Sequence, residues 1–153
     1  PMLVEEFIIG REFQITLLET DHGLWVLPPA EILFDKKGTE AFLTFEGRWV
    51  EGAHDYQLSH TDVPVLAQTL LSHMEDVSKR SFTALHLRDY ARLDVRLKNN
   101  TMIILEANCN PGLGDSDDYG MTLSYKKSGL TFADFIVKIV ESAMRRQKSS
   151  GSR

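Results

Sequence analysis

Polar and apolar positions alternate in two runs in the second half of the chain. From Tyr90 to Leu97, Arg92, Asp94 and Arg96 are charged, and the Leu93, Val95 and Leu97 interleaved with them are apolar. From Met102 to Asn108 the same alternation groups Ile104, Glu106 and Asn108 against Ile103, Leu105 and Ala107. A period of two belongs to strands. Between the runs, Lys98-Asn99-Asn100 supplies asparagines that tolerate a left-handed turn. The pattern predicts a hairpin with one charged face. Leu3 to Ile9 and Phe13 to Glu19, separated by Gly10-Arg11-Glu12, predict another hairpin near the start. Leu24 to Leu27 and Glu31 to Phe34 are shorter strand candidates. After them come a Lys/Gly loop, an apolar run from Ala41 to Phe45, and a polar stretch from Glu46 to Thr61 that reads as a loop.

Two segments carry helical spacing instead. Asp62 is placed to cap a helix with Pro64 in its first turn. Val63, Leu66, Ala67, Leu70, Met74 and Val77 form its apolar stripe as far as Lys79. Thr131 followed by Asp134 makes a capping box. Phe132, Phe135, Ile136, Ile139, Val140 and Ala143 form the stripe of a last helix, with Arg145, Arg146 and Lys148 at its C-terminal end. The Ser/Gly-rich stretch 149–153 reads as a flexible tail, so 1–148 is read as one unit. Together these elements predict an α+β fold: a mainly antiparallel sheet flanked by two or more helices.

Composition narrows the function. In 153 residues, 17 Lys and Arg face 22 Asp and Glu for a net charge of −5, and 42% of residues are hydrophobic. That is enough apolar chain for one core without staples. It leaves no basic run to mark a nucleic-acid footprint. No apolar stretch is long enough to cross a membrane as a helix, and no secretion signal opens the chain, so the expected location is cytoplasmic. The single cysteine, Cys109, excludes an internal disulfide. The chain begins at Pro1 rather than Met and is strand-like by Leu3, which raises the expectation of an upstream part.

The candidate chemistry lies on the charged hairpin. A turn centred near Asn100 sets Asp94 opposite Glu106, and Arg92 opposite Asn108. Facing carboxylates repel and call for a cation. Carboxylate and amide oxygens are the hard donors that Mg²⁺ takes, with phosphate and water completing its shell. From spacing alone a second reading stands beside this one: Arg92 and Arg96 neutralise the carboxylates on a solvated sheet face. Asn108-Cys109-Asn110-Pro111-Gly112-Leu113-Gly114 then leaves the strand beside these oxygens, and the N–H of Gly112 is a candidate donor to an oxyanion. His54 and His60 lie in a loop without a third ligand in pattern. His73 and His86 read as structural, and Cys109 lacks an identifiable base. Trp25 and Trp49 read as packing residues.

Tyr90-Ala91-Arg92-Leu93-Asp94-Val95-Arg96-Leu97 with Leu105-Glu106-Ala107-Asn108-Cys109-Asn110-Pro111-Gly112-Leu113 resembles the metal and phosphate segment of ATP-grasp ligases, most closely the D-alanine–D-alanine ligase family. Val4-Glu5-Glu6-Phe7-Ile8-Ile9-Gly10-Arg11-Glu12-Phe13 resembles that family's adenine hinge, and the two segments stand in family order. The resemblance runs over about residues 2 to 144. It implies backbone hydrogen bonds from Glu6 and Ile8 to adenine, with Glu5 nearby and Glu12 on the ribose. It also implies two Mg²⁺ ions (or Mn²⁺) on Asp94, Glu106 and Asn108, and a transferred phosphate stabilised by Arg92 and the N–H of Gly112. The implied reaction activates a substrate carboxylate as an acyl phosphate with ATP and displaces the phosphate with an amine, joining amino-acid-like substrates. A homodimer fits the same pattern.

Three departures qualify the resemblance. Thr44-Phe45-Glu46-Gly47-Arg48-Trp49 matches a family segment in which a lysine contacts phosphate, but Arg48 stands in its place, keeping charge and changing geometry. Where the family holds a carboxylate with serine and backbone N–H groups, this chain has Asp115, Ser116, Asp117 and Asp118, which favours an unusual or cationic substrate. The family's upstream substrate domain and lysine-bearing lid are not in this sequence, so the isolated chain is expected to be inactive. The alternatives are a ligase for a different acid and amine pair, and a non-catalytic nucleotide-binding or interaction module.

Overall fold

The computed structural model describes residues 2–38, 41–42, 44, 50, 58–117 and 119–150. Strands β1 (Arg11–Thr20), β2 (Gly23–Val26), β3 (Ala30–Phe34) and β4 (Ser59–Asp62) precede helix α1 (Gln68–Ala84). Strands β5 (Tyr90–Lys98) and β6 (Thr101–Asn108) follow, then helices α2 (Gly120–Lys127) and α3 (Phe132–Ser150). The strands form one sheet in the order β4-β3-β1-β5-β6, with β2 also on β1. Every ladder among them is antiparallel.

β1 organises the molecule. β5 pairs with it along one edge from Arg11 to Leu18. The other edge is shared, with β3 on residues 12–14 and β2 on residues 17–20. Pro28 and Pro29, which have no N–H to give a ladder, separate those two partners. Phe13, Ile15 and Leu17 point to one face and form a fully buried core with Leu93, Val95, Met74 and Phe82, closed over by α1. On the other face Leu18, Leu27 and Tyr90 meet Met121, Tyr125 and Phe135 of α2 and α3. Tyr125 and Phe135 stack there at 5.0 Å.

The predicted hairpin of Leu3–Ile9 with Phe13–Glu19 does not form. Both edges of β1 are already taken, so the apolar segment 2–9 finds no ladder, and Met2, Leu3 and Val4 are 80–89% exposed. The actual partner is β2, across the turn Asp21-His22. α1 starts at Gln68 rather than after Asp62, because residues 59–62 are drawn into β4 against β3. It runs on to Ala84 to bury Phe82. The end of the stretch read as loop, residues 59–61, is therefore sheet. α2 was not anticipated: it has only eight residues and its apolar periodicity is weak. The Thr131–Asp134 box is present in both directions, with N–H to oxygen distances of 2.9 and 3.1 Å. Val140 is 50% exposed and faces away from the core, so the buried stripe of α3 runs through Phe135, Ile139 and Ser142. α3 continues to Ser150, past the expected start of the tail, through the good helix formers Arg145 to Lys148.

Candidate functional site

The sheet face that carries Leu18 changes character toward the other end of β1. Glu12, Gln14 and Thr16 lie opposite Arg96, Asp94 and Arg92. β6 adds Glu106 opposite Asp94 and Asn108 opposite Arg92. Four of the predicted site residues, Arg92, Asp94, Glu106 and Asn108, thus sit on alternate rungs of one ladder, on the same face.

A bulge brings them into register. Asn99 and Asn100 both adopt positive φ (49° and 63°), a two-residue turn that pairs Lys98 with Thr101 and Val95 with Ile104. Continued unchanged, that register would set Leu105 opposite Asp94. An irregularity between Asp94 and Val95 leaves Leu105 unpaired and 49% exposed, and shifts Glu106 onto the Asp94 rung. Ile104 therefore packs into the α1-side core, and Ile103 takes the rung of Arg96, the reverse of strict alternation.

Asp94 is buried at 6%, and both its oxygens accept from Arg92, Nε at 2.6 Å and Nη2 at 2.9 Å. Glu106 is exposed, so the second carboxylate opens to solvent. Two carboxylates and an amide on one face are a donor set suited to a hard divalent cation; here the Arg92 guanidinium neutralises Asp94, as the second reading of the spacing expects, so a metal would take over an Asp94 oxygen that Arg92 now holds. Among the described residues no group of three His, Cys, Asp or Glu side chains converges; the third donor here is the amide of Asn108. Cys109 is exposed.

The loop beyond Asn108 is tied down at both ends. The Tyr90 hydroxyl donates to Asn110 Oδ1 at 2.8 Å and faces the Pro111 carbonyl at 3.4 Å. Burial, and then the charge of the Cys109 thiol group, push its pKa above the ordinary phenol value. Pro111 is buried and Gly112 exposed, beside the polar face. Thr122 and Tyr125 of α2 donate to the Gly114 carbonyl at 3.1 and 3.2 Å, and Tyr125 also donates to Asp115 at 2.9 Å. Lys126 bridges Asp115 and Asp117 at 3.0 and 2.9 Å. Hydrogen bonds from Lys126 and Tyr125 hold the Asp115 carboxyl below its ordinary range. The acidic loop is thus partly neutralised by its own helix. Sequence reasoning missed this clasp because it missed α2; the spacing of Thr122, Tyr125 and Lys126 was the available signal.

The predicted adenine hinge runs beside this face. Glu5 and Glu6 are exposed, with Glu6 3.9 Å from Lys98, and Ile8 is half-buried. Glu12 lies in the sheet as an ion pair with Arg96. Arg48, Trp49, His54 and Asp118 lie outside the described residues. His60 and His73 are exposed, and His86 sits in the turn after α1 at φ 53°. A concavity of about 970 Å³, lined by Trp25, Lys79, Met144 and Arg145 among others, lies at the opposite end of β1 and includes none of the predicted site residues.

Comparison with known proteins agrees with this architecture. The family model described as the D-Ala D-Ala ligase C-terminus matches residues 1–141. D-alanine–D-alanine ligase A of Mesorhizobium japonicum is 30% identical over 96% of this chain and 40% of its own length. An uncharacterized protein of Sinorhizobium fredii is 33% identical over 97% of the chain and 43% of its length. The D-alanine–D-alanine ligase of Bacillus anthracis, solved in complex with ATP, superposes with a TM-score of 0.72 at 20% identity, over 95% of this chain and 42% of that one. The chain therefore spans less than half the length of these relatives. Its matched residues, and the antiparallel sheet with three helices among its described residues, place it in the D-Ala-D-Ala ligase family, as the ATP-grasp C-terminal domain.

Proposed function

We propose that this domain supplies one wall of an ATP-dependent carboxylate–amine ligase site. In this reading Asp94, Glu106 and Asn108 hold Mg²⁺, and Arg92 contacts the transferred phosphate. The observation that carries it is the bulged register that stacks Asp94 on Glu106 and Arg92 on Asn108 at the mouth of the Pro111-Gly112 loop. Bound Mg²⁺ would supply charge neutralisation at the phosphate oxygens. The protein's part is orientation. Arg92 reaches from a stiff central strand, Asp94 is fixed from below by the buried ladder, and the N–H of Gly112 lies on a loop pinned by Tyr90. Glu5, Glu6, Ile8 and Glu12 serve the nucleotide's base and ribose, and Arg48 its phosphates. Such a site works by positioned charge rather than by a covalent enzyme intermediate.

Lys126 bears on the substrate. By pairing with Asp115 and Asp117 it offsets one of their two charges and so lowers the repulsion those acids present to a carboxylate, which keeps an amino acid with a free carboxylate among the candidate second substrates. The test is phosphate release from ATP by a protein of the relatives' full length, with D-alanine and then a panel of other amino acids. Release stimulated by D-alanine, and lost in Glu106→Gln, supports the reading. Release with a different amine alone would favour the related ligase, and no ATP turnover with any of them would favour a non-catalytic module.

A further inference from the structure

Arg96 is the most heavily used buried cation among the described residues, and no role above explains it. It is 3% exposed, on the polar face opposite Glu12. Its guanidinium pairs with Glu12, donates to the Gly10 carbonyl at 3.2 Å and to the Ala41 carbonyl at 2.6 Å, and lies over the rings of Phe7 and Phe34 at 5.3 and 5.7 Å. One planar cation thereby joins the hinge, β1, β3 and the loop after β3. The hinge needs such a fastener because β1 has no ladder edge to offer it. Its other described attachments are an edge-on contact of Phe7 with Phe42 at 6.1 Å and the surface pair Glu6–Lys98. Gly10 makes the approach feasible: a Cβ there would stand 2.3 Å from the Leu97 carbonyl oxygen, so only glycine brings this backbone across β5 within reach of Arg96.

A buried ion pair is a costly way merely to fill space, since apolar residues often do that as well or better. What a guanidinium adds is a rigid fork that fixes several acceptors relative to one another. Here the acceptors are the hinge backbone and the Glu12 carboxylate. We propose that Arg96 is a positioning residue for the nucleotide, setting the hinge against the base and aiming Glu12 at the ribose. This rests on the nucleotide reading above.

The test uses a protein of the relatives' full length that carries this domain, and three variants in it, Arg96→Met, Arg96→Lys and Glu12→Gln. Two quantities are measured: hydrogen exchange across residues 6–10, and binding of ATP against 2′-deoxy- and 3′-deoxy-ATP. Loss of a hydrogen bond to a charged group costs about tenfold or more in affinity, so the wild type should prefer ATP over one deoxy analogue by about that factor. Glu12→Gln should reduce the preference to about twofold or less while leaving hinge exchange slow. Arg96→Met should do the same and also speed hinge exchange. Arg96→Lys keeps a cation for Glu12 and tests the idea if the methionine variant fails to fold; it should speed hinge exchange and cut the preference at least threefold, because an ammonium cannot serve all three acceptors and both rings. If ATP and deoxy-ATP affinities fall in parallel, or if Arg96→Lys leaves both quantities unchanged, Arg96 is structural only and the proposal is wrong. If the wild type binds no ATP, the nucleotide reading fails first, and the positioning role with it.

Discussion

Asp94 and its surroundings show how one side chain's setting decides its chemistry. Its carboxylate is buried, fixed by Arg92 on both oxygens, and faces Glu106 across the ladder. Removing the cation alone leaves a buried charge uncompensated. Arg92→Met should therefore cost about 3 kcal/mol by denaturant titration, and adding Asp94→Asn should recover a substantial part of it; equal and additive losses would mean the pair is not coupled. Asp115 offers a pH test. Lys126 and Tyr125 stabilise its ionised form, so its native value lies below the ordinary 3.8. A group depressed in this way favours the fold above its unfolded value and stops doing so as pH falls through the native one. A carbon-detected NMR titration should find Asp115 below 3.8, and Lys126→Met should move it upward. At this scale the sequence was informative where alternation governs: Arg92, Asp94, Glu106 and Asn108 were picked out by period alone. It put Arg96 on the same charged face as a neutraliser of the carboxylates but took that face to be solvated, because alternation gives a face and not the depth of burial. That depth follows from Phe7, Phe34 and the loop at Ala41, which arrive from elsewhere in the chain.

Elements went astray where two of them competed for one edge. Residues 3–9 have the apolar content of a strand, yet β5 takes one edge of β1 and β3 and β2 divide the other. Asp62 and Pro64 look like a helix start, yet pairing with β3 claims Asp62. Local propensity cannot rank such claims, since the winner is set by contacts distant in sequence. The hairpin β5–β6 was legible because its turn is local, but its register was right at the site and wrong at the turn: the bulge at Leu105 supplies the extra residue. Deleting Leu105 should then be tolerated, leaving a regular ladder that still pairs Asp94 with Glu106. Cross-strand amide contacts between Leu93 and Ala107 would report this, and their loss would show that the bulge is required to hold the register.

At the level of the molecule, one sheet separates two cores, one under α1 and one under α2 and α3. Met74→Ala and Phe135→Ala fall in different cores and share no contact cluster. Each should cost about 2–5 kcal/mol, with the pair additive to within about 0.5 kcal/mol; strong coupling would mean the sheet transmits repacking between faces. The polar face lies where neither core extends, flanked by the hinge and by the clasped loop. The relatives are more than twice as long as this chain, and this face is where the proposal places ATP. The most direct measurement is paramagnetic broadening of this domain's backbone amide signals on adding Mn²⁺ with ATP to a protein of the relatives' full length. Broadening centred on residues 92–94 and 106–108, and abolished by Glu106→Gln, is the predicted result. Broadening centred instead on Glu75 and Glu141 around the far concavity, or none at any site, would contradict it.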